Sequence, residues 1–194
     1  MECPPLQPML VATALNGHGK VHAEIMRQRP FLQVLIALQR DGFHPESIGG
    51  KVYLRSDGTP GLDYAVSGYV WDGIRDAFIA MSEIQFASGA KAVAPVHRDA
   101  ELYHSLDKVK KAIASLPMAT LKARLFSAHV MGGCPMGENA AKSVVNSKGR
   151  HHEVDNLSIF DGSVFPTSIA ANPMESIFAV TAKFATELAK VLVM

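Results

Sequence analysis

Three patterns in this 194-residue sequence predict an α+β fold, with an antiparallel sheet and helices that segregate rather than alternate. Two strand-favouring runs flank a turn between Lys51 and Val66. Two apolar stripes at helical spacing follow between Trp71 and Leu116. The chain then closes with a strand-like run, an Asp-Gly turn and a third helical stripe.

Each element has a local reason. In residues 1–30, Pro4, Pro5, Pro8, Gly17 and Gly19 break any period, which reads as an irregular or lid segment. Leu32 to Leu38 is an apolar run suited to a buried strand or a short core helix. Lys51–Arg55 and Leu62–Val66 supply strand residues around the turn Asp57-Gly58-Thr59-Pro60-Gly61, giving a β-hairpin. Two strands alone are marginally stable, so the hairpin needs cover.

Trp71, Ile74, Phe78, Met81, Ile84 and Ser88 define one helix face, and Gly89 supplies its stop. A short strand is expected over Ala92 to Pro95. Leu106, Val109, Ile113 and Leu116 then mark a second helix that Pro117 ends. Asp107 and the lysines at 108, 110 and 111 partly suit its dipole. Leu157 to Phe160 reads as a buried strand, and Ile177, Val180, Phe184, Leu188 and Val191 as the stripe of a closing helix. Asn172 stands at the natural N-cap of that helix and Pro173 at its first position. The divisions expected are residues 1–30, 31–126 and 127–194.

Composition narrows the partners. With 48% hydrophobic residues and a net charge of +1, the chain can bury a core but has no basic footprint for nucleic acid. Cys3 and Cys134 are far apart, so neither a disulfide framework nor a thiolate zinc site is expected, and a reducing compartment is the default. The start has no signal-peptide character, and no apolar run is long enough to span a bilayer; the expectation is a soluble, cytoplasmic protein.

Two segments carry candidate chemistry. In Ser127-Ala128-His129-Val130-Met131-Gly132-Gly133-Cys134-Pro135-Met136-Gly137, an imidazole precedes glycines that allow close backbone approach. Histidine titrates near neutrality and can take a proton from an alcohol. A packed core histidine beside a turn is the competing reading. In Asp161-Gly162-Ser163-Val164-Phe165-Pro166, followed by Ala170-Ala171-Asn172-Pro173-Met174, a strand leads through a loop to a helix N-terminus, a common way to present ligands. Asp-Gly also makes ordinary turns, and Asn-Pro ordinary helix starts.

Together, from about Ser127 to Ala189, these segments resemble the C-terminal region of the glucose–methanol–choline family of FAD-dependent oxidoreductases, with cholesterol-oxidase-like flavour. The shared features are His-x-x-Gly-Gly-Cys-x-x-Gly, Asp-Gly-Ser before a proline, and Asn-Pro opening the last helix. The resemblance implies that the hairpin and its helices form a substrate-binding sheet, and that the last strand and helix complete an FAD-binding α/β domain. It implies catalytic roles for His129 and Asn172 and cofactor contacts at Asp161, Gly162, Asn172, Pro173 and Met174. The cofactor implied is FAD and the substrate a small alcohol, with the apolar composition favouring an apolar one.

One departure from the family is plain: Gly17-His18-Gly19 lacks the third glycine of a Gly-x-Gly-x-x-Gly phosphate turn. The expectation is a truncated chain that binds FAD weakly or not at all by itself, with a separate N-terminal FAD-binding domain or subunit as possible partner. A non-catalytic, partner-binding module is the alternative. His151, His152, Glu153 and Asp155 are poorly spaced for a metal, since neighbouring strand residues face opposite ways. His18, His22, His44, His97 and His104 read as surface residues, a nucleophile role for Cys134 has little support without a basic partner in sequence, and Met131 and Met136 are candidates to line an apolar pocket.

Overall fold

A computed structural model of the chain describes residues 1–169 and 171–192. The chain forms two compact units, one combining residues 1–39 with 49–125, the other combining 40–48 with 126–194.

The first unit opens with helices α1 (Pro8–Ala14) and α2 (Gly19–Arg27), so the irregular reading of residues 1–30 is corrected. The punctuating residues are boundaries here: Pro8 starts α1, while Gly17 (φ 91°) and Gly19 (φ 61°) turn the chain into α2. Helices of 7 and 9 residues are too short to display a period in sequence. His22 ties them together through Nε2 and the Ala12 carbonyl at 2.8 Å. The run 32–38 forms neither strand nor helix; its one pairing is Glu2 with Ile36, through two backbone bonds of 2.9 Å.

The hairpin is present as β1 (Lys51–Leu54) and β2 (Pro60–Asp63), antiparallel, with Val52 opposite Leu62. Its turn is held by Asp57, whose Oδ1 accepts from the Thr59 N–H (2.9 Å) and hydroxyl (2.6 Å). Those bonds, the hydroxyl's first, hold the Asp57 carboxyl below its usual range. Gly61 is covered by the Tyr53 ring: a Cβ at Gly61 would lie 2.5 Å from Tyr53 Cζ. The second strand begins two residues and ends three residues earlier than expected, and Val66 packs instead on the helix core. Apart from Gly61 both strands are exposed, so the sheet is a two-stranded hairpin and not a covered platform.

Helix α3 (Gly68–Ala87) begins at Ser67, whose Oγ accepts from the Val70 N–H at 3.3 Å. It ends as expected at Gly89, with φ 90°: the Gly89 N–H donates to Phe86 and the Ala90 N–H to Gln85, both at 3.0 Å, satisfying the last carbonyls. Val70 and Ile74 form a core with Ala123, flanked by Val66, Tyr69, Trp71, Phe78 and Met118. Helix α4 (Leu106–Ser115) packs against α3 and buries Val109 and Ile113 completely.

Arg75 on α3 closes the end of α4. Its guanidinium donates to the carbonyls of Ile113, Ala114 (3.2 Å) and Leu116 (3.1 Å), which have no acceptor role within the helix. Arg75→Met keeps the aliphatic stem but strands these carbonyls, and is expected to cost about 2–3 kcal/mol in chemical denaturation.

The expected strand over 92–95 reduces to one pairing, Val93 with Tyr103. His97 is a correction of another kind: it is 0% exposed. Its Nδ1 accepts from the Asp99 N–H at 3.1 Å, which leaves the proton on Nε2 to donate to the Pro117 carbonyl at 2.9 Å. The buried ring thus joins the loop after α3 to the end of α4.

The second unit contains α5 (Met174–Leu192) and a core of Val145, Val164 and Phe184, joined by Met136, Val144, Ile159, Phe160, Phe165 and Val180. Phe160 and Phe184 meet with centroids 5.7 Å apart, tilted by 49°. The expected strand at 157–160 is only a short ladder: Arg150 pairs with Ser158, with bonds from His151 N–H to Leu157 and from Ile159 N–H to Gly149. No strand therefore accompanies the closing helix among the described residues. Among those residues, no helix is long and apolar enough to cross a membrane.

Candidate functional site

The two motif segments lie side by side. The Cys134 N–H donates to the Ser163 carbonyl at 3.0 Å and the Met136 N–H to the Val164 carbonyl at 2.8 Å. This backbone pairing runs the glycine-rich stretch along the Asp-Gly-Ser stretch. Gly132 adopts φ 83°, a left-handed state open to glycine, and its missing Cβ would lie 3.6 Å from the Pro166 carbonyl.

Asp161 caps the short 3-10 turn Gly162–Val164: its Oδ1 accepts from the Ser163 N–H at 2.7 Å. Asp161 is exposed, whereas Gly162 is buried. A Cβ on Gly162 would lie 3.0 Å from Ile177 Cδ1 and 3.1 Å from the Val130 carbonyl. Gly162 is therefore the point where the histidine segment, the Asp-Gly turn and α5 converge, and the absence of a side chain allows that approach.

Helix α5 starts one residue later than expected. Its first bond runs from the Ile177 N–H to the Pro173 carbonyl at 2.8 Å, so Pro173 occupies the cap and Asn172 precedes it. The N–H groups of Met174, Glu175 and Ser176 have no acceptor within the helix. Asn172 and Met174 are exposed, Pro173 is buried, and His129 is half-buried. Among the described residues the His129 ring and the Asn172 amide have no hydrogen-bond partner. Ala170, part of the second motif, lies outside the described residues.

A supporting loop escaped the sequence reading. His152 Nε2 lies 3.0 Å from the Gly137 carbonyl and 2.9 Å from Ser143 Oγ, whose proton reaches the carbonyls of Asn139 (2.8 Å) and Gly137 (2.9 Å). These bonds hold the end of the glycine-rich stretch. Glu138 accepts from the Ser147 N–H at 3.2 Å, and hydrogen bonding from Ser147 keeps its carboxyl below the ordinary range. His151 is engaged locally too, its Nδ1 accepting from the Glu153 (3.1 Å) and Val154 (3.0 Å) N–H groups. Only the close pairing of Gly137 with Ser143 in space reveals this network; nothing in the spacing does.

The sequence matches the family model of the GMC oxidoreductases, in their C-terminal domain, over residues 45–181. The chain belongs to the GMC oxidoreductase family. The match begins well before the motif segments and takes in the hairpin and helices α3 and α4. An uncharacterized GMC-type oxidoreductase of Sinorhizobium fredii is 27% identical over 141 residues, which are 73% of this chain and 28% of that protein. A long-chain-alcohol oxidase of Arabidopsis thaliana is 26% identical over 126 residues, 61% of this chain and 17% of the relative. A cholesterol oxidase of Acinetobacter baumannii is 33% identical over 78 residues, 38% of this chain and 14% of the relative. The chain thus spans under a third of the length of these GMC relatives.

Proposed function

We propose that this chain carries the C-terminal catalytic portion of an FAD-dependent alcohol oxidoreductase that acts on the CH–OH group of an apolar alcohol. The observation that carries the reading is the convergence at Gly162, where the His129–Val130 segment, the Asp161 turn and α5 meet within contact distance. The names of the relatives, long-chain-alcohol oxidase and cholesterol oxidase, favour a hydrophobic substrate.

The residues fit FAD. The first turn of α5 offers N–H groups and a partial positive charge, which suit the electron-rich edge of a flavin. Asn172 adds an amide, Asp161 keeps a carboxylate oxygen for a hydroxyl group, and Pro173 and Met174 supply apolar contact. FAD, when bound, supplies the hydride acceptor. His129 accepts the hydroxyl proton at its imidazole, and Asn172 donates a hydrogen bond that orients the substrate oxygen. Without a Gly-x-Gly-x-x-Gly turn in these residues, tight FAD binding draws on an ADP-binding unit elsewhere, as a domain or a partner subunit.

Asn172→Asp tests the placement. A carboxylate there opposes the negative charge that gathers beside the α5 N-terminus on reduction. In anaerobic stopped-flow measurements on the full-length gene product, alcohol-driven flavin reduction is expected to slow about tenfold or more. An unaltered rate removes Asn172 from the site.

A further inference from the structure

Among the described residues, three non-glycine residues adopt left-handed backbone, Phe43 (φ 56°), Leu121 and Asn156, and Phe43 is the aromatic one. A bulky side chain is disfavoured there, and such conformations persist where surrounding structure enforces them, often at ligand sites. The enforcement is visible. Gly42 (φ 152°) approaches the loop before α5 so closely that a Cβ would collide with Thr167 Oγ1 and lie 3.5 Å from the Ser168 N atom. Yet the interior gains nothing from the Phe43 ring, which is 70% exposed; its ring contact is the Arg40 guanidinium, 5.4 Å from the centroid.

The position of this turn gives the strain a purpose. Gly132 of the histidine segment meets the same loop at the Pro166 carbonyl, next to the residues Gly42 meets. Pro166 and Ser168 are two residues apart, at most about 7 Å of chain. The turn that carries Phe43 and the histidine segment therefore meet the same loop, the one that leads into α5. The segments that this loop joins each carry an exposed apolar side chain: Val130, 70% exposed beside His129, and Met174, 61% exposed at the start of α5.

We infer that Phe43 is a specificity-determining residue: its ring, held out by the clamped left-handed turn, covers the carbon chain of the alcohol and favours long chains over short. The inference rests on the alcohol chemistry proposed above. Each methylene covered changes affinity about fourfold.

The test compares the full-length gene product with its Phe43→Gly and Phe43→Leu variants, using decanol and butanol as substrates. Phe43→Gly is expected to raise KM for decanol about tenfold while KM for butanol moves less than about twofold, with Phe43→Leu between. Its melting temperature should match or exceed the parent's, because glycine adopts this backbone without strain. An unaltered decanol KM, or equal rises for both alcohols, overturns the role of Phe43 while leaving the alcohol chemistry standing. A fall in melting temperature with both KM values raised marks a structural role and overturns it as well. Failure of the parent protein to oxidise either alcohol overturns both readings.

Discussion

His129→Ala is expected to slow alcohol-dependent flavin reduction by roughly a hundred- to ten-thousand-fold, the usual contribution of a positioned proton acceptor. The proposed chemistry removes a proton from the hydroxyl as hydride leaves carbon, and His129 directly precedes Val130, whose carbonyl meets the convergence at Gly162. The effect should fall on the reduction rate more than on KM, because the proton moves only as the bond breaks. His129→Gln separates orientation from proton transfer: an amide can hydrogen-bond the hydroxyl but accepts no proton at neutral pH. Anaerobic stopped-flow rates for the two variants should therefore both be low. A Gln variant close to the parent would assign His129 to orientation alone.

Gly149→Ala destabilises the second unit by about 2–5 kcal/mol, combining left-handed strain with overpacking. Gly149 has φ 73°, and an added Cβ would lie 2.6 Å from Phe184 Cδ2, 2.9 Å from Phe160 Cε1 and 3.0 Å from the Ile159 carbonyl. Phe184, on α5, is buried and meets the half-buried Phe160 ring at a tilt, so it has little room to withdraw. Gly58→Ala is the control: its φ of 80° is equally left-handed, but nothing lies within 4 Å of the added Cβ. Urea denaturation followed by circular dichroism, with hydrogen exchange at α5 amides, should show a much larger loss for Gly149→Ala. Against stabilities of about 5–15 kcal/mol, that loss is a large fraction of the total and moves the urea midpoint clearly to lower concentration.

Long amphipathic stripes made α3, α4 and α5 readable, because many residues vote for one period. The hairpin was readable from its turn chemistry. Short elements failed: α1 and α2 have too few turns, and Leu157–Phe160 had strand composition but found only a two-bond ladder. His97 misled because a lone histidine without ligand spacing resembles a surface residue, while the carbonyl that takes its Nε2 proton belongs to Pro117, 20 residues further on. At the candidate site each motif was ambiguous in isolation. Their pairing through Cys134–Ser163 and Met136–Val164, and the contact of Gly162 with Ile177, are tertiary facts that local spacing does not encode. The left-handed turn at Phe43 was invisible for the same reason, since local preference opposes it and the close approach of Gly42 to Thr167 and Ser168 is a tertiary contact.

The central claim is that the residues from His129 to α5 form the alcohol-oxidising part of a flavin site. Anaerobic titration of the full-length gene product with decanol, following the visible absorption of its flavin, tests this most directly. The expected result is a protein that retains FAD, whose flavin bleaches on addition of decanol, with one aldehyde formed for each flavin reduced. A protein without flavin, or a bound flavin that decanol and other alcohols leave oxidised, contradicts it.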